Sequence, residues 1–114
     1  MADNREKIER LDSLSPAKAH SNCVFREILH SYEEFKARVD ASNPIHHRAF
    51  IEILGDGVFS RLTFRIYGLD KKGQMIIFEV RKLALDFYEQ RREYERLVEK
   101  YAKPLGSTEG AWIT

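Results

Sequence analysis

Between residues 48 and 82, apolar side chains recur at every second position in three runs, 48–54, 58–67 and 74–82, all rich in β-branched and aromatic residues. That period of two is the signature of a strand with one buried face. Gly55-Asp56-Gly57 separates the first two runs, and Asp-Gly between apolar runs is a strong hairpin signal. The second break, 68–73, holds Gly68, Asp70 and Gly73 and reads as a longer hairpin loop. The pattern therefore predicts an antiparallel meander.

The period changes after residue 82. Leu83, Phe87, Tyr94, Leu97, Val98 and Tyr101 fall on one helical stripe over 83–103, with Asp86 in the first turn, Lys103 in the last, and Pro104 as the stop. A shorter helix is expected over 3–14, where Ile8, Leu11 and Leu14 form a narrow stripe before Ser15-Pro16. Residues 22–41 fit two descriptions. As one continuous or kinked helix, which the spacing favours, Val24, Ile28, Tyr32, Phe35 and Val39 share a face. As strand plus helix, residues 23–29 are extended, and Ser31 to Glu34 form a capping box. The last ten residues contain Ala111-Trp112-Ile113, a short closing strand or an anchored tail.

Together these elements predict a single two-layer α+β domain over 1–114. Its sheet is a three-stranded antiparallel meander, extendable to four or five strands. The long C-terminal helix packs on one face, one or two helices precede the sheet, and 105–114 follows as tail or strand.

Alternation divides the sheet into two faces. Ala49, Ile51, Ile53, Val58, Leu62, Phe64, Ile66, Ile76, Phe78 and Val80 lie on an apolar face expected to receive the helix, with Phe87 and Leu97 meeting Phe64 and Phe78. The other face mixes Phe50, Phe59, Tyr67, Arg48, Arg61, Arg65 and Arg81 with Glu52 and Glu79. Phe50, Phe59, Arg61, Arg65, Tyr67 and Arg81 are the candidate binding residues. Aromatic rings and arginines suit a protein contact or a second copy of the chain, because those residues are enriched where interfaces are tight. The same set suits stacking on unpaired bases of single-stranded RNA or DNA. The plain alternative is a solvated sheet face, with Glu52 and Glu79 paired to arginines across strands. On that face, Arg65→Ala is expected to leave stability nearly unchanged.

Composition narrows the classes. Nineteen Lys and Arg against 18 Asp and Glu give a net charge of +1, which argues against a strongly basic nucleic-acid domain. The one cysteine, Cys23, allows no intrachain disulfide and points to a reducing, cytoplasmic setting. The longest purely apolar run, Met75 to Phe78, is far too short to span a membrane, and the charged first dozen residues lack a signal-peptide core.

Catalytic signatures are absent: no phosphate-binding glycine loop, dinucleotide fingerprint, His-Glu-x-x-His, Cys-x-x-Cys or nucleophile elbow occurs. His20-x-x-Cys23 with His30 and His46-His47 is the best metal-like set, but adjacent histidines on extended backbone diverge, and His46 and His47 are expected in a loop after Pro44. No metal site and no cofactor is expected. Without a catalytic motif, the sequence favours a non-catalytic binding or adaptor module over a small-molecule or metal enzyme, and it matches no family signature.

Overall fold

The meander forms as the alternation requires, and it acquires a parallel strand on each edge. In a computed structural model the described residues are 26–55, 59–83, 86–107 and 112–113. The expected 3–14 helix lies outside them, as do His20 and Cys23. The elements run β1 (Arg26–Leu29), α1 (Tyr32–Arg38), β2 (His46–Leu54), β3 (Phe59–Leu69), β4 (Met75–Leu83), α2 (Phe87–Leu97) and β5 (Trp112–Ile113). After α2 the backbone continues through a π-helical turn, Val98–Ala102, and a 3-10 turn, Lys103–Leu105. The sheet order is β1-β4-β3-β2-β5. Strands β2, β3 and β4 pair antiparallel, while β1 runs parallel to β4 and β5 parallel to β2. The fold is α+β, with a mixed sheet where a purely antiparallel one was expected.

Residues 22–41 contain no single helix through their described part. Arg26–Leu29 is a strand, and α1 starts at Tyr32, where the Glu34 N–H donates to Ser31 Oγ at 3.3 Å. The helical reading failed because β1 buries side chains in both directions, so alternation is invisible along it. Ile28 packs beside Met75 and Ile77 on one face, while Leu29 joins the main core on the other. Arg38 of α1 donates to Glu27 of β1 at 2.7 Å, and this guanidinium holds the Glu27 carboxyl below the usual carboxylate range.

Two strand boundaries also differ from expectation. His46 and His47 begin β2, and β3 runs to Leu69, so the turn into β4 starts at Asp70. The Asp70 carboxylate accepts from the Lys72 and Gln74 amides at 2.9 and 2.8 Å, and Gly73 takes the left-handed conformation, φ 79°. This side chain closes the hairpin tightly enough for Gly68 to stay in the ladder.

The main core lies between the sheet and the helices. Leu62, Phe64, Ile66, Ile76, Phe78 and Ala49 rise from the sheet to meet Leu97 and Ala102, with Phe35 from α1 and Val39 just past its end. Tyr32, Phe78 and Tyr101 form an aromatic cluster with centroid separations of 4.7 to 5.4 Å. The Tyr32 hydroxyl donates to the Tyr101 carbonyl at 3.2 Å, tying α1 to the π-helical turn. Gly68 is what lets α1 sit this close. A Cβ there would lie 2.6 Å from Val39 Cγ2 and 3.3 Å from Phe35 Cζ. Both neighbours are buried, so Gly68→Ala is expected to cost about 1–3 kcal/mol, the usual penalty for overpacking. A shift of the urea midpoint checks this.

The C-terminal helix corrects the predicted stripe. Leu83 ends β4 and Asp86 caps α2, accepting from the Glu89 N–H at 2.7 Å. The buried positions of α2 are Gln90 and Leu97, with Tyr94 half-buried between them. Gln90 takes the place expected for Phe87, because its amide reaches Ser60 Oγ on β3. Phe87 and Leu83 are therefore exposed, outside the core to which their spacing assigned them, and Ile53 near the end of β2 is exposed as well, although alternation put it on the core face.

Candidate functional site

Alternation along the observed register places five of the predicted binding residues on the sheet face away from α2, as the sequence implied. Cross-strand rows align Arg48, Arg65 and Glu79; Phe50, Thr63 and Arg81; and Glu52 and Arg61. Phe59 pairs in register with Leu54 at the end of the same sheet.

Three arginines on this face, Arg61, Arg65 and Arg81, are engaged by carboxylates. Arg65 Nε donates to Glu79 Oε1 at 2.8 Å, and Arg81 Nε donates to Glu79 Oε2 at 3.1 Å. Arg61 Nη1 reaches Glu52 Oε2 at 3.4 Å. The Arg65 guanidinium also lies 4.8 Å from the Phe50 ring centroid, a cation–π distance. The Glu79 side chain is 4% exposed and that of Arg65 is 14% exposed, so this pair is largely withdrawn from water. The expectation that Arg65 is an ordinary surface residue is overturned by that burial.

Towards β1 the same face is closed. Tyr67 is 1% exposed and clusters with the buried Met75 and Ile77, flanked by Ile28 and Leu69. The division into one core face and one open face therefore fails at this end. Met75 to Phe78 form an unbroken apolar run because each direction of the strand meets apolar surroundings.

Glu52 and Glu79 do not form a catalytic pair, since each is taken by arginine. One polar cluster escaped the sequence reading. His47 is buried; its Nδ1 lies 2.6 Å from Ser107 Oγ and its Nε2 lies 3.2 Å from the Tyr94 hydroxyl. Burial pushes the Tyr94 phenol up, so it stays protonated and can donate to Nε2. Both ring nitrogens are held, and the ring packs against Phe64 and Tyr94, so the cluster ties β2 to α2 and to the segment leaving it. The signal for it was alternation extended two residues upstream, which puts His47 on the face of Ala49 and Ile51.

The unsatisfied surface lies elsewhere. Ile53, Leu83, Phe87 and Tyr88 are between 60% and 73% exposed. Ile53 is the partner of Ser60 on β2, and Gln90, bonded to Ser60, sits one turn beyond Phe87. Leu83 pairs with the next residue, Arg61, and so belongs to the opposite sheet face. Phe87 and Tyr88 pack edge to face, 5.8 Å apart. These two strand ends and the first turn of α2 present large apolar side chains with no core to enter.

Among the described residues no group of His, Cys, Asp and Glu is arranged to hold a metal ion. No helix among them is long and apolar enough to cross a membrane. Comparisons with models of known families, with curated proteins and with solved structures found no match for this chain.

Proposed function

We propose that this chain is a soluble, cytoplasmic, non-catalytic module that binds a protein partner through the apolar end formed by Ile53, Phe87 and Tyr88. The observation that carries this reading is the exposure of those three side chains at the Ser60 end of the sheet, with Phe87 and Tyr88 packed edge to face. Exposed apolar surface of this kind marks contact sites, and paired aromatics are frequent anchors in them. Arg61, Arg81 and Phe50 border the same end of the sheet and would serve as its polar rim. The single-stranded nucleic-acid reading has less behind it. Arg61 and Arg65 already pair with carboxylates, whereas phosphate binding needs cations free to displace the counterions condensed on the phosphates.

Selection from a displayed library of protein fragments, using the whole chain as bait, tests the reading. Fragments are expected to hold the wild type and to lose at least tenfold in affinity for Phe87→Asp/Tyr88→Asp. That variant should keep the wild-type urea midpoint. Fragments that bind both chains equally, or an absence of enriched fragments, would overturn it.

A further inference from the structure

We infer that the outer edge of β4 at Val80, Arg81, Lys82 and Leu83 is a strand-addition site for an extended acidic segment of a partner. The inference deepens the proposed binding function and rests on it.

β1 covers the edge of β4 only from Met75 to Phe78. No strand among the described residues pairs with the outer side of β4 beyond that point. Burial changes at the same place: Met75 to Glu79 are buried, Val80 is intermediate, and Arg81, Lys82 and Leu83 are exposed. An open edge presents unpaired backbone donors and acceptors, which an extended peptide can complete. This one leads, three residues later, into the cap of α2.

Charge selects the occupant. Arg81 shares the Glu79 carboxylate with Arg65 and keeps a side chain that is 55% exposed, and Lys82 has no ion-pair partner among the described residues. Arg81 and Lys82 point to opposite faces of the sheet, as neighbours in a strand do. Apolar residues therefore suit the positions opposite Val80 and Leu83, and acidic ones suit those opposite Arg81 and Lys82. Apolar-acidic-acidic-apolar reads the same in both directions, so it fits a parallel or an antiparallel strand. A second copy of this edge would set cation against cation, a pairing that disfavours self-association.

The probe is the blocked hexapeptide Thr-Val-Glu-Glu-Val-Thr, titrated into the whole chain and followed by amide chemical shifts. The expected result is saturable shifts at Val80 to Leu83 and the first turn of α2. Replacing the two glutamates by lysines, or N-methylating alternate peptide amides, should weaken binding at least tenfold. So should Arg81→Glu/Lys82→Glu in the protein, with Lys82→Glu alone as the milder variant that leaves the Glu79 pairs intact. No shift at β4, or equal binding of the lysine peptide, would overturn the inference. A wild-type dimer by sedimentation that Lys82→Glu disperses would also overturn it, assigning the edge to a second copy. If the edge fails while displayed fragments still depend on Phe87 and Tyr88, the binding reading stands without it. If neither dependence is found, both fall.

Discussion

Arg65→Ala is expected to destabilise the protein by about 3 kcal/mol, toward the lower end of the range for removing one partner from a buried ion pair. The loss comes from what remains. Glu79 keeps a carboxylate that is 4% exposed, and among the described residues Arg81, with a side chain 55% exposed, is its one remaining cation, at 3.0 Å. Arg65 also packs over Phe50, so its removal strips apolar contact from the same row. A double variant separates the two causes. In Arg65→Met/Glu79→Leu the buried charge is gone and the volume is retained, and such exchanges are often neutral or stabilising. The double variant should therefore be more stable than Arg65→Ala by at least about 1 kcal/mol, read from urea midpoints. If Arg65→Ala alone leaves the midpoint unchanged, Glu79 is hydrated and the burial argument is wrong.

Phe64→Ala should cost roughly 3–5 kcal/mol, the usual loss on emptying a large aromatic site. Phe64 is fully buried at the centre of β3, 5.7 Å from the His47 ring and 6.2 Å from the Tyr94 ring. The cavity would open beneath the cluster that holds α2 to the sheet, so helix and sheet cannot close over it independently. Against a total stability of ~5–15 kcal/mol, the variant should stand near the edge of folding at room temperature. Thermal and urea denaturation both report it. A loss below about 1 kcal/mol would mean that this site collapses or that Phe64 lies outside the core.

What could be read in advance follows from how each element is buried. β2, β3 and β4 lie with one face in the main core for much of their length, and their alternation located both the meander and its register. β1 could not be read, because Ile28 and Leu29 are both received by apolar neighbours and the alternation disappears. The parallel pairing of β1 and β5 is a matter of which edges meet, and no local pattern encodes it. The arginine face was legible as a composition, and so was the pairing of Glu52 and Glu79 with arginine. The depth of Glu79 was not, since a charged residue on a strand looks the same at a rim or inside. The apolar end was misread for a definite reason. Helical spacing continues from Leu83 through Phe87, but Asp86 caps the helix later, and Gln90 takes the inward position by bonding Ser60.

The central claim is that Phe87 and Tyr88 are held out for contact and contribute little to the fold. The urea midpoint of Phe87→Ser/Tyr88→Ser tests it most directly. The account predicts a stability within about 0.5 kcal/mol of the wild type per substitution, as for ordinary surface changes. A loss of about 3 kcal/mol or more, of the size expected when a large apolar side chain leaves a core, would place the pair inside the fold and contradict the account.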